Sequence, residues 1–102
     1  MNIIITRHQP LVDWLAKHGI TGTVIAQATA KDVRGRHVYG VLPMWLAAEA
    51  LSVTEVSMPG LTLEQRKAFA GGDLPVEAMD AAGAELVTYT VEKNERLETT
   101  TY

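Results

Sequence analysis

The fold of this chain is decided by the stretch Ile3-Ile4-Ile5-Thr6-Arg7-His8-Gln9-Pro10. Three consecutive β-branched residues favour a buried strand, and the run then stops at a hydroxyl, a cation, an imidazole and a proline. Pro10 suits the first turn of a helix, because its missing amide hydrogen would have no partner there. Such a junction delivers polar side chains to the carboxyl edge of a sheet, where open α/β folds usually bind ligands.

The alternation of strands and helices continues along the chain. The first helix, from Pro10 to about His18, carries Leu11, Trp14 and Leu15 at helical spacing, and Gly19 follows at the left-handed position that ends a helix. The remaining predictions are strands at about 23–28, 37–42, 53–58 and 86–91, a short turn or helical connection at 29–33, and helices at 43–51, 62–69 and 75–82. Thr62 and Gln65 have the spacing of a capping box, which predicts the start of the helix at 62–69.

Strands that alternate with helices imply a mostly parallel sheet with helices on both faces. At 102 residues the chain has the usual size of one domain with its own core. We therefore predict a single small Rossmann-like α/β domain over residues 1–93, followed by a charged, threonine-rich tail at 94–102.

Composition excludes several classes of function. Nine basic residues against twelve acidic ones give a net charge of −3, which argues against a broad grip on duplex nucleic acid. The absence of cysteine excludes disulfides and thiolate metal sites. No segment approaches the roughly 18 to 20 apolar residues of a membrane span, and no secretory leader is recognisable. We expect a cytoplasmic protein that does not engage a membrane.

The first candidate site follows the first strand. Thr6, Arg7 and His8 combine a hydroxyl, a guanidinium and an imidazole beside a helix N-terminus, and this set suits binding a phosphodiester and moving its protons. Gln9 and Leu11 belong to the same helix start and are candidate ligand contacts. The alternative is structural, with Arg7 paired to a carboxylate and His8 capping a loop.

A second strand-to-helix junction, Gly40-Val41-Leu42-Pro43-Met44, is predicted at the same edge of the sheet. Gly40 would let a ligand approach the backbone, and the helix that begins at Pro43 would offer further amides, so Gly40, Leu42 and Met44 are candidate ligand contacts. Taken alone, this junction favours a structural role, because Gly and Pro ordinarily punctuate chains. Neither a G-x-G-x-x-G fingerprint nor a Walker lysine loop is present.

The remaining basic residues give weaker signals. Arg34, Arg36 and His37 form a cluster that favours a hydrated turn, although Arg36 would reach a shared ligand if the turn faced a partner subunit. The three histidines show no metal-ligand spacing, so we predict a metal-independent site without a cofactor. Trp14 and Trp45, on the apolar faces of their helices, are predicted core residues, with a dimer contact as the alternative for either.

Three segments carry a resemblance to a known group: Thr6-Arg7-His8-x-Pro10, the turn Gly40-Val41-Leu42-Pro43 into Ala47-Ala48-Glu49, and Tyr89-Thr90-Val91-Glu92-Lys93. Together they resemble the small stand-alone CRISPR-associated proteins of type III systems that act as ring nucleases on cyclic oligoadenylate. The similarity runs from Asn2 to about Lys93, and residues 60–73 match least well.

The resemblance implies a Rossmann-like homodimer that opens cyclic tetra-adenylate to linear adenylates and so switches off an antiviral signal. Implied roles are phosphate charge for Arg7, proton transfer or orientation of the ribose 2′-hydroxyl for His8, and phosphate hydrogen bonding for Thr6 with the Leu11 amide. Two alternatives stay open: a sensor or sponge that binds cyclic oligoadenylate without cutting it, and an adaptor subunit of a CRISPR complex.

Overall fold

The structure, a computed structural model, describes residues 2–94, so the tail predicted at 94–102 lies outside the described residues except for Asn94. The described strands are β1 (Asn2–Ile5), β2 (Thr23–Ile25), β3 (His37–Gly40), β4 (Ser52–Ser57) and β5 (Glu85–Tyr89). The described helices are α1 (Gln9–Lys17), α2 (Ala30–Val33), α3 (Met44–Ala47), α4 (Leu63–Ala70) and α5 (Val76–Ala81).

The five strands form one sheet in the order β2-β1-β3-β4-β5. Strands β1 to β4 are parallel to one another, and β5 pairs antiparallel with β4. The chain leaves β1 toward β2 and then returns across it to β3, so the direction of winding reverses between β1 and β3. This reversal is the topological switch point, where doubly wound sheets open a crevice at the carboxyl ends of their strands.

Helices cover both faces of the sheet, as the alternation of strands and helices predicted. On one face, Ile3 and Val38 pack with Val33 and Leu46, which α2 and α3 supply. On the other face, Ile4 packs against α1, α5 and the connection between α4 and α5. The buried residues that these elements supply are Leu11, Trp14, Leu15, Leu74 and Met79. Alternate residues of β1 thus feed opposite cores, because successive strand side chains point to opposite faces.

The local end signals read from the sequence are confirmed. Gly19 has φ +81°, and the Ile20 amide donates to the Leu15 carbonyl at 2.8 Å, which closes the C-terminus of α1. At the start of α4, the Thr62 hydroxyl accepts from the Gln65 amide while the Gln65 side chain accepts from the Thr62 amide.

Several elements are shorter than predicted, and this changes the placement of one tryptophan. The helix predicted at 43–51 is a single helical turn, α3, followed by turns, and only its Leu46 and Ala47 are buried. Trp45 is 66% exposed, so the prediction that it lies in the core is wrong, whereas Trp14 is buried as predicted. A helix of one turn can pack only one of its sides against the sheet, and Trp45 lies on the side that faces away. Across residues 2–94, no helix is long and apolar enough to cross a bilayer.

Candidate ligand-binding cleft at the switch point

A cleft of about 390 Å³ opens where β1 and β3 end. Its polar lining comes from the segment that joins β1 to α1, namely Thr6, Arg7 and His8. The apolar lining consists of Ile5, Leu11, Ala26, Gly40, Val41, Val56 and Phe69. The carboxyl edge of the sheet therefore brings together the three residues that the sequence singled out as the first candidate site.

The backbone of the β1–α1 junction is fixed on both sides of His8. The Thr6 hydroxyl accepts from the His8 amide at 3.0 Å, and the His8 carbonyl accepts from the Leu11 amide at 3.1 Å. The Thr6 amide in turn donates to the Ile25 carbonyl of β2 at 3.0 Å. These bonds hold His8 in an extended conformation at the N-cap of α1 and direct the junction toward the cleft.

Within the described part of the chain, the structure shows neither of the structural roles considered for Arg7 and His8, an ion pair with a carboxylate and a capping hydrogen bond. Arg7 is exposed and forms no ion pair with any carboxylate of residues 2–94. The His8 side chain is half-buried and makes no capping hydrogen bond to α1. Both groups are thus available to a ligand in the cleft. An unpaired guanidinium is well suited to a phosphate, which it can bind through two parallel hydrogen bonds.

The geometry revises the expected donors at the start of α1. The Leu11 amide already donates to His8, so the prediction that it binds phosphate does not fit the structure, and Leu11 contributes an apolar wall instead. The Gln9 amide belongs to the first helical residue and has no partner in the preceding turn. The Gln9 side chain, which is exposed, donates to Asp13 at 2.9 Å.

Gly40 has a structural role as well as a place in the cleft. It has φ +143°, and a Cβ atom placed there would lie 2.5 Å from the carbonyl oxygen of Ile5, its partner on β1. Only glycine accommodates both the conformation and the close approach. The close pairing of β1 with β3 at this point sets the inner end of the cleft.

Leu42 and Met44 line a neighbouring cavity instead of the cleft itself. This cavity, of about 530 Å³, also includes Glu55 and Tyr89, and it meets the cleft at Gly40 and Val41. The helix expected to offer amides is only the four residues of α3, and its Leu46 and Ala47 amides donate to the Pro43 carbonyl, so one turn carries little of a helix dipole. The second junction therefore adds an apolar extension to the cleft and no anion-binding helix terminus.

Arg36 does not belong to the cleft. It precedes β3, whereas the cleft lies beyond the end of that strand, and five residues of extended chain separate the two by roughly 16 Å. The turn around it is held by an ion pair between Arg34 and Glu49 at 3.2 Å and by a contact of 2.7 Å between His37 and Ser52. Within one protomer, the fold therefore favours a turn at the surface over a ligand contact for Arg36.

Three lining residues lie outside both junctions that the sequence singled out. Ala26 directly follows β2, so its position after a parallel strand was a usable signal. Val56 lies on β4 and Phe69 near the end of α4, and nothing close to either in sequence points to the β1–α1 junction. Phe69 is the most informative of the three, since its ring centroid lies 5.1 Å from that of His8.

The cleft carries no cluster of metal ligands: within residues 2–94, no three histidine, aspartate or glutamate side chains are placed to hold one ion. The candidate groups there are one guanidinium, one imidazole and one hydroxyl. Together they can neutralise a phosphate, donate hydrogen bonds to it and transfer a proton.

Comparison with known proteins identifies one family that matches the chain. Residues 3–92 match the family described as "Putative CRISPR-associated protein (Cas_VVA1548)". The match covers all five strands apart from Asn2, together with the β1–α1 and β3–α3 junctions. No curated protein and no solved structure matches the chain.

Proposed function

The chain belongs to this family of CRISPR-associated proteins, and on that premise we propose that it is a ring nuclease that opens cyclic tetra-adenylate to linear adenylates. Its role would be to remove the messenger that activates the effector nucleases of type III systems. The observation that carries the proposal is the placement of the Arg7 and His8 side chains in the crevice at the switch point, where neither side chain is hydrogen-bonded or ion-paired to another polar group of residues 2–94.

The proposed reaction needs no external nucleophile. The oxygen of a ribose 2′-hydroxyl attacks the adjacent phosphorus, the bond from phosphorus to the 5′-oxygen breaks, and a 2′,3′-cyclic phosphate is left at the cut end. One proton leaves the 2′-hydroxyl and one is taken up by the departing 5′-oxygen. The protein has to impose in-line geometry and stabilise the charge of the phosphorane.

Each polar group of the cleft has a role in this scheme. His8 transfers a proton at the 2′-hydroxyl or the 5′-oxygen, a contribution of about 10² to 10⁴ in rate. Arg7 neutralises the non-bridging oxygens. The Thr6 hydroxyl accepts from the His8 amide, which leaves its own hydrogen for a phosphate oxygen.

The proposal includes a two-fold symmetric dimer with the ring bound across the axis. In such a dimer the two copies of Arg7 and His8 would face equivalent phosphates. A group of exposed apolar side chains that leads away from the cleft supports this arrangement: Val41, Met44 and Trp45, exposed by 77%, 75% and 66%. Val41 lines the cleft, Val41 and Met44 line the neighbouring cavity, and Met44 and Trp45 line a further one. We call these three residues the mouth patch; contiguous exposed apolar surface of this kind marks interaction sites.

Two other functions share parts of this surface. A sponge would use the same phosphate cradle without turnover, and an adaptor subunit would use the mouth patch to bind a larger CRISPR complex. The position of the Arg7 guanidinium favours a nucleotide ligand over a purely structural role, because it forms no ion pair within residues 2–94 and lies at a switch point, where doubly wound sheets bind their ligands.

Product chromatography distinguishes these functions. The purified protein is incubated with cyclic adenylates of several ring sizes, with and without EDTA. The expected result is linear product from cyclic tetra-adenylate at the same rate in both conditions. Tight stoichiometric binding with no linear product would replace the enzyme by a sponge. A stable protein partner together with no affinity for any of the rings would replace it by an adaptor.

A further inference from the structure

The segment 60–73, which contains α4, forms one wall of the cleft although the family resemblance gave it no role. Helix α4 has no fully buried residue of its own. The Gly60 amide donates to the Ala82 carbonyl at 3.1 Å and so attaches the start of the segment to the end of α5. At its other end, the Asp73 amide donates back to the Ala68 carbonyl at 2.7 Å, which closes the C-terminus of α4 within the segment. Its contact with the cleft runs through the ring of Phe69.

The imidazole of His8 is oriented by that segment. The rings of His8 and Phe69 lie with their centroids 5.1 Å apart and their planes tilted by 45°. Gly72 lies close as well, since a Cβ atom built on it would be 3.7 Å from His8 Nδ1. Within residues 2–94 neither ring nitrogen of His8 is held by a hydrogen bond. The Phe69 ring therefore lies against an imidazole that no hydrogen bond within these residues holds.

This arrangement differs from the usual way in which a protein orients a histidine for proton transfer. A carboxylate or carbonyl that accepts from one nitrogen commonly fixes both the tautomer and the ring plane. Here the backbone of His8 is fixed by Thr6 and Leu11, while rotation about its two side-chain torsions is limited by packing alone. Both nitrogens consequently remain available to a ligand.

We infer that Phe69 is a positioning residue that holds the His8 imidazole against the cleft in the orientation needed for proton transfer. The inference rests on the proposed function only for the use made of His8; the ring contact itself is testable without substrate. Removing the aromatic ring leaves the imidazole free to populate other rotamers. Productive orientations should fall by about two- to tenfold, the range that an aromatic pair supports.

The variants are Phe69→Leu, which keeps an apolar side chain without a ring, and Phe69→Tyr, which keeps the ring. Leu63→Ala is the matched control, because Leu63 lies on the same helix, is 69% exposed and does not line the cleft. The first measurement is the chemical shift of the carbon-bound ring protons of His8, assigned by their loss in His8→Ala. Phe69→Leu should shift these signals, while Phe69→Tyr and Leu63→Ala should leave them near their original positions.

The second measurement is turnover of cyclic tetra-adenylate. Phe69→Leu should lower kcat by about two- to tenfold with KM nearly unchanged, and Phe69→Tyr should restore it. A purely structural role would lower the folded fraction and leave kcat per folded molecule intact. Unchanged His8 signals in Phe69→Leu would overturn the inference, as would shifted signals with an unchanged kcat. If the unaltered protein cuts no ring, the proposed function fails, whereas the His8 signals still decide the contact.

Discussion

Trp14 donates its indole N–H to the carboxylate of Asp80, with Nε1 and Oδ1 2.7 Å apart, and so joins α1 to α5 across 66 positions of sequence. The same carboxylate accepts from the Lys17 ammonium, and the His18 ring, which stacks on Trp14 at 4.2 Å, reaches it at 3.5 Å. Three donors of one helix thus converge on one acceptor of another. This cluster holds α1 and α5 together on one face of the sheet. Helix α1 also supplies Leu11 to the lining of the cleft.

The cluster predicts a specific acid response. Hydrogen bonds from Lys17 and then Trp14 lower the pKa of Asp80 to about 2 from its ordinary 3.8. A carboxylate with a depressed folded-state pKa contributes stability above its unfolded value, and that contribution is lost as the pH falls toward its folded value. The unfolding midpoint in urea should therefore fall between about pH 4 and pH 2 more steeply in the unaltered protein than in Asp80→Asn. Asp73→Asn, on the exposed α4–α5 connection, should keep the steep fall; equal slopes in all three proteins would contradict the cluster's role.

Substitution of Gly40 should destabilise the fold strongly, and Gly35 provides the comparison. Gly40→Ala places a Cβ 2.5 Å from the Ile5 carbonyl oxygen at φ +143°, whereas Gly35→Ala meets open space at φ +68°. The second change carries only backbone strain, of about 1 kcal/mol or somewhat more. The first adds displacement of β1 from β3 and should cost several kcal/mol, on the order of the larger single-residue effects. Denaturant unfolding measures the free energy of unfolding of both variants. Similar losses would show that β1 and β3 can move apart at Gly40 at little cost, which would contradict the prediction.

The cleft predicts different defects for its two ionisable residues. Arg7→Ala should weaken binding of cyclic tetra-adenylate and reduce its salt dependence, because a phosphate contact is lost. His8→Ala should leave binding nearly intact and lower turnover by about 10² to 10⁴. Calorimetry and product chromatography separate the two effects.

Matched controls come from the opposite edge of the sheet. Arg34→Ala and His37→Ala remove the same side-chain types, there engaged with Glu49 and Ser52. Both should bind and cut as the unaltered protein does. If they lose as much activity as the cleft variants, the cleft assignment is wrong.

The mouth patch predicts a change of assembly without a change of fold. Trp45→Glu alters a side chain that is 66% exposed, so monomer stability should stay within about 0.5 kcal/mol. Trp14→Ala, in the core at 2% exposure, should instead cost about 3 to 5 kcal/mol. Light scattering should show a dimer for the unaltered protein and a monomer for Trp45→Glu. A dimer that survives this change places the interface elsewhere.

Local chemistry made much of the fold predictable. Each helix end read from the sequence, such as Gly19 after α1 or the pair Thr62 and Gln65 before α4, depends on hydrogen bonds between residues a few positions apart. The identity of the residues that end β1 likewise needed only the run of β-branched residues before them. The prediction of Arg36 as a ligand contact could have been avoided from the sequence. Ligands bind at the carboxyl ends of parallel strands, whereas Arg36 comes directly before β3 and so lies at the opposite edge of the sheet.

The sequence by itself determined the order and kind of the elements and which side chains stand at the end of the first strand. Only the tertiary structure decided that β5 runs antiparallel, that Trp45 faces outward and that Phe69 meets His8 across 61 positions of chain. The physical reason is the range of the interactions. Periodicity and capping act over one or two helical turns, whereas partners distant in sequence are selected by how the whole set of elements buries its apolar faces at once.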